Sequence, residues 1–125
     1  MPVLDTSLMV GAFSGAAESL PQVTAAISRG ERMLLPSVVL YEWLRGPRRP
    51  EELAVQRAIV PSDGALPFGQ PEAARAAELY RSVNRPRGRE IDLAIAAHAL
   101  LRGVELWTLN ERDFADLPSV VLYSP

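Results

Sequence analysis

The stretch Pro2-Val3-Leu4-Asp5-Thr6-Ser7 decides how the chain is read. Val3 and Leu4 make an apolar run too short for half of an alternating surface strand, which suits the start of a buried one, and Asp5 closes it. Ser7 then offers an N-cap for a helix running from Leu8. In open parallel sheets ligands sit in the crevice beyond the carboxyl ends of the strands. Asp5 in that place is therefore either a ligand for a metal or phosphate, or a plain cap on the following helix.

The same alternation continues downstream. Leu8 to Ala17 reads as a buried helix, with Gly11 and Gly15 permitting close packing. A second helix starts near Pro21 and stops at Gly30. Met33-Leu34-Leu35 reads as a buried strand closed by Pro36, and Ser37 caps a short helix over Val38 to Leu44, ended by Gly46-Pro47. Helical residues from Glu51 to Ile59 lead into the turn Pro61-Ser62-Asp63-Gly64. Ala65 to Phe68 is a third short strand, and Pro71 opens the next helix, with Ala74, Ala77, Leu79, Tyr80 and Val83 on its apolar face. Asn84 to Gly88 is a loop by composition. Arg89 to Arg102 is apolar almost all round, so this helix is expected to be largely buried, with Gly103 as its stop. Glu105 to Thr108 is a fourth strand, Asn110 to Phe114 a turn or short helix, and Val120 to Tyr123 the last strand. Strands alternating with helices predict an α/β three-layer sandwich with a mostly parallel central sheet and right-handed crossovers.

A chain of 125 residues fits one domain, 1–125. With no cysteine, disulfides and thiolate metal sites are excluded, and oxygen becomes the default ligand for any metal. Neither a signal-peptide pattern nor an apolar run of membrane-spanning length is present, so a soluble cytoplasmic protein is expected. The net charge of −2 advertises no global attraction to nucleic acid. All thirteen basic residues are arginine, however, and two groups cluster: Arg45, Arg48 and Arg49, then Arg85, Arg87 and Arg89. Guanidinium matches phosphate bidentately, which makes these six candidates for contacts to a polyanion; the plain alternative is solvated surface charge.

Three carboxylates are oddly placed. Asp5 ends a buried strand, Glu42 lies among Val39, Leu40, Trp43 and Leu44, and Asp92 opens a buried helix. Isolated charges in such surroundings are costly unless a cation compensates them. Asp113 follows another strand end and can reach the same crevice. Carboxylates with water are the ligands that Mg²⁺ and Mn²⁺ prefer, and such ions serve phosphoryl chemistry. Each acid alone also has a plain reading: Asp92 as partner of the helix dipole, Glu42 as a surface residue, Asp113 as a loop acid.

The ordered blocks Val3-Leu4-Asp5-Thr6-Ser7, Ser37-Val38-Val39-Leu40-Tyr41-Glu42, Ile91-Asp92-Leu93-Ala94-Ile95-Ala96-Ala97 and Leu106-Trp107-Thr108-Leu109-Asn110-Glu111-Arg112-Asp113-Phe114 resemble a PIN-domain ribonuclease. More narrowly, they resemble the VapC-type toxins of bacterial toxin–antitoxin pairs. The resemblance covers essentially the whole chain. It implies a metal-dependent endoribonuclease whose acidic site comprises Asp5, Glu42 and Asp92, with Asp5 and Asp92 as direct ligands of Mg²⁺ or Mn²⁺ and Thr108 as the active-site hydroxyl. It also implies an RNA substrate, a cognate antitoxin and a homodimer. In many relatives a fourth acid stands where this chain has Asn110. Asn110 can coordinate through its carbonyl but adds no charge, so either Asp113 substitutes or the metal is held less tightly. A catalytically degenerate PIN domain that only binds RNA or protein is the alternative.

Two rivals fail on composition. A receiver-like signalling domain needs a lysine beside its phosphoryl-accepting Asp, and this chain has none. A flavodoxin-like site needs a Gly- and hydroxyl-rich phosphate loop that Thr6-Ser7-Leu8-Met9 does not supply. His98, the sole histidine, lies about 240° round the helix from Asp92 and reads as structural. Trp107 and Phe114 read as core, whereas Leu40, Trp43 and Leu44 suit core or interface equally.

Overall fold

A computed structural model describes residues 1–125. At its centre β1 (Val3–Leu4) and β2 (Leu106–Trp107) pair in parallel, Val3 opposite Leu106 and Leu4 opposite Trp107. Single parallel bridges extend this pair on both sides: Val3 to Leu34, Pro36 to Leu66, and Leu106 to Leu122. The spatial order is thus Leu66, Leu34 to Pro36, β1, β2, Leu122. The chain winds outward from β1 in one direction, then returns to β2 and winds in the other. The reversal falls between β1 and β2, so the crevice of a doubly wound sheet opens beyond Leu4 and Trp107, where Asp5 and Thr108 stand.

The second, third and fifth predicted strands are bridges rather than continuous strands. Pro36 and Pro67 supply no amide to a ladder, which shortens the pairing on that side.

Six α-helices flank the sheet: α1 (Thr6–Phe13), α2 (Leu20–Ser28), α3 (Ser37–Arg45), α4 (Pro50–Ile59), α5 (Gln70–Ser82) and α6 (Glu90–Arg102). α1 packs with α2, α3 and α4, whereas α6 packs with α5 and β1 as well as α3. A final 3₁₀ turn spans Glu111–Phe114.

Two helix starts differ from the sequence expectation. α1 begins at Thr6 with Asp5 in the cap position, so Ser7 lies inside the helix. α3 likewise begins at Ser37, whose amide already donates to Leu66 O at 2.8 Å beside the Pro36–Leu66 bridge. α1 also stops at Phe13 rather than Ala17, because Gly15 and Ala17 adopt positive φ values of 59° and 52°.

The core is continuous through all layers. In α6 every residue from Leu93 to Ala99 is buried, and Gly103 terminates the helix at φ 62°, donating to Ala99 O and Leu100 O. Trp43 is fully buried with Phe13 edge-on at 6.2 Å. Its Nε1 donates to Gln56 Oε1 at 3.1 Å, and Gln56 Nε2 donates to Val60 O at 2.7 Å, so buried polar groups tie α3 to α4. Trp43 is core and Leu40 packs against it, while Leu44 stays exposed. Trp107 and Phe114 are core, as read from the sequence. His98 is buried within α6, its Nδ1 3.2 Å from Arg102 Nη1, away from the cleft described next.

Candidate active site

The crevice at the strand ends is an open cleft of about 500 Å³ lined by Asp5, Glu42, Asp92 and Asp113, with Thr6, Ser7 and Asn110 beside them. Four separate elements bring these acids together. Asp5 follows β1, Glu42 rides on α3, Asp92 sits in the first turn of α6, and Asp113 belongs to the 3₁₀ turn after β2.

Asp5 is only 4% exposed. It occupies the cap position of α1 yet makes no side-chain cap bond, so the plain reading of this residue does not describe it. Two hydroxyls hold it instead: Thr108 Oγ1 donates to Oδ2 at 2.6 Å and Ser7 Oγ donates to the same oxygen at 2.7 Å. Those hydroxyls are themselves fixed, since Asn110 N donates to Thr108 Oγ1 and Leu109 N to Ser7 Oγ, each at 2.9 Å. Oδ2 is thereby committed, and no protein donor engages Oδ1.

Glu42 is held at both oxygens. Thr6 Oγ1 donates to Oε1 at 2.5 Å, and Arg45 Nη2 bridges to Oε2 at 3.2 Å. The hydroxyls of Thr6 and Ser7 thus orient two different carboxylates, a role sequence reading missed by treating Ser7 as a cap. The available signal was a pair of consecutive hydroxyls directly after a strand-end acid.

The Asp92 carboxyl is pushed up to about 6. Burial is the largest cause, and the negative charges of Asp5, Asp113 and Glu42 add to it. Arg89 pulls the other way, but its guanidinium is already bidentate on Asp116 at 2.7 and 2.8 Å. Excess negative charge around a partly buried carboxyl is the condition a hard cation relieves, and an all-oxygen donor set suits Mg²⁺ or Mn²⁺. No three of the acids close on one point, so their side chains would have to turn inward to share an ion.

The six arginines are distributed differently from the sequence grouping. Arg45 lies on Glu42, and Arg48 stacks over Trp43 at 4.1 Å while donating to Trp43 O. Arg49 pairs with Glu51 and Glu52. Arg89 is taken by Asp116 and by Asp113 O. Arg85 and Arg87, exposed in the loop before α6, are in no ion pair of the structure.

No curated protein matches the sequence significantly. Solved structures share its fold. A chain of a toxin–antitoxin complex from Klebsiella pneumoniae matches with a TM-score of 0.74 at 24% identity, over 100% of both chains. A chain of VapBC2 from Rickettsia felis, bound to a DNA fragment from its promoter, gives 0.77 at 21% identity over 97% of this chain and 96% of that one. DNA-bound VapBC from Salmonella typhimurium gives 0.77 at 22% identity over 98% of each. The family model of the PIN domain matches residues 3–120. Four acids from four elements at the switch point of a parallel sheet agree with that match, and the chain belongs to the PIN-domain family.

Proposed function

We propose that the chain is a VapC-type toxin: a single-domain, divalent-cation-dependent endoribonuclease restrained by a cognate antitoxin. PIN domains are generally nucleases, and the structures sharing this fold include toxin–antitoxin complexes. The observation that carries the reading is the convergence of four acids on one cleft, with Asp92 pushed up to about 6 by burial and then by the charges of Asp5, Asp113 and Glu42.

Asp5, through Oδ1, and Asp92 would hold the Mg²⁺ or Mn²⁺ ion, with Glu42 and Asp113 beside it, and the ion would supply Lewis acidity and a more acidic water. The chain's own residues prepare the cleft for that chemistry. Thr108 and Ser7 keep Asp5 in one rotamer with an oxygen forward. Thr6 aims Glu42, and Oε2, once Arg45 leaves it, is the acceptor for a proton of the attacking water. The water oxygen bonds to phosphorus as the bond to the 3′ oxygen breaks, and that oxygen takes up a proton. The products are a 5′-phosphate and a 3′-hydroxyl. Asn110, at the rim, contributes a carbonyl and no charge, which favours one ion over two.

The antitoxin would neutralise the same acidic groove with an apolar or arginine-bearing segment, and the toxin is read as a homodimer. Cleavage of a small-RNA pool by wild type and Asp92→Asn, with Mg²⁺, Mn²⁺ or EDTA, tests the nuclease. Metal-dependent cuts absent from the variant are expected. Folded, antitoxin-free protein that cuts nothing but still binds RNA would establish the alternative, a degenerate PIN domain for which the neutral Asn110 is the specific observation.

A further inference from the structure

We propose that Tyr41 and Arg45, at the lip of the acidic cleft, form a clamp for one unstacked nucleotide of single-stranded RNA, the ring receiving the base and the guanidinium its phosphate. The proposal rests on the nuclease reading and names the residues that grip the substrate beside the acids.

α3 turns Val39 and Trp43 into the core and leaves Tyr41 58% exposed. The position of that ring distinguishes it from an ordinary surface aromatic. Arg45, one helical turn on, lies over the Tyr41 ring at 5.3 Å from its centroid, while its Nη2 reaches Glu42 Oε2 at 3.2 Å. A single guanidinium therefore spans the distance from the aromatic ring to a carboxylate lining the cleft. An RNA phosphate lying beside Glu42 would bring a neighbouring nucleotide toward Tyr41, because one guanidinium joins the two residues.

Arg45 is the removable part. Glu42 is fastened from the other side by Thr6, so it keeps its place when the arginine leaves. A divalent cation held in the cleft would add positive charge beside Glu42 and so weaken its hold on Arg45. The released guanidinium stays beside Tyr41, where the nearest new anion is the substrate's own backbone. An arginine that stacks on aromatic rings and binds phosphate in two places suits that transfer. Base stacking on an exposed ring requires a base free of a duplex, so loops and single strands are selected over helices.

The test is fluorescence anisotropy with short single-stranded RNAs in which one nucleotide at a time is made abasic, with Ca²⁺ present and RNA integrity checked on gels. Stacking of one base is worth about 1–3 kcal/mol, so one abasic position is expected to weaken wild-type and Tyr41→Phe binding about tenfold. In Tyr41→Ala that position should cost nothing further, and intact RNA should bind about tenfold more weakly. Equal affinities of wild type and Tyr41→Ala, or an unchanged abasic pattern in the variant, would overturn the clamp while leaving the nuclease reading standing. A Tyr41→Ala variant that sediments at half the wild-type mass would also overturn it and make Tyr41 an interface residue. Wild type that binds no RNA at all would sink both readings.

Discussion

Thr108 Oγ1 donates to Asp5 Oδ2 at 2.6 Å, joining the ends of two neighbouring parallel strands across 103 positions of sequence. With Ser7 on the same oxygen, this bond decides which way the most buried acid of the cleft points. Groups that orient a metal ligand typically change affinity by about 10–100-fold when lost. Thr108→Val and Ser7→Ala should each weaken Mn²⁺ binding by about tenfold in calorimetry, and Thr108→Ser should restore most of the loss. Unchanged affinity in both variants would make these hydroxyls ornaments of the fold.

Asp92 links stability to pH with a definite sign. Its carboxyl titrates near 6 in the folded protein against 3.8 as a free side chain, so between these values the folded state holds the extra proton. Apoprotein stability therefore falls as pH rises from about 4 to about 6, and the penalty is complete above that window. After allowance for solvent screening it amounts to about 1–2 kcal/mol. In EDTA, Asp92→Asn should melt higher than wild type at pH 7 and nearly level with it at pH 4. Wild-type affinity for Mn²⁺ should rise with pH through about 6, because the ion competes with that proton.

Gln56 is the buried hinge of polar contacts between α3 and α4, accepting from Trp43 Nε1 and donating to Val60 O. Gln56→Met keeps the volume, leaves the buried Trp43 Nε1 and Val60 O without these hydrogen bonds, and removes the bond to the part-buried Ser62 Oγ. Two unsatisfied buried groups cost about 2–4 kcal/mol, read as a lower urea midpoint at unchanged slope. A loss below about 0.5 kcal/mol would show that water replaces the amide.

The arginines divide by what already holds them. Arg85→Ala with Arg87→Ala should lower the slope of log binding constant against log salt by about 1–2, with the melting temperature unchanged. Arg89→Ala should do the reverse, because its guanidinium serves Asp116 and Asp113 O; a loss of about 1 kcal/mol is expected with the salt slope intact. An Arg89 variant that flattens the salt dependence without destabilising would place that residue on the RNA.

The sequence by itself determined the helices and the winding. Apolar periodicity from Leu93 to Ala99, the stop at Gly103 and the apolar pair ahead of Asp5 are local signals, and local signals survive without knowledge of neighbours. It also picked out Asp5, Glu42 and Asp92, because a charge in apolar surroundings is conspicuous along a single chain. Sheet continuity was not legible: whether Leu34, Leu66 and Leu122 form strands or single bridges depends on the partner ladder. Nor were the partners of side chains legible. Thr6 meeting Glu42, Ser7 and Thr108 meeting Asp5, and Arg89 taken by Asp116 all join residues distant in sequence or aimed by helix geometry. Only the tertiary structure decided these, because a hydrogen bond is settled by distance and angle in space, and composition carries neither.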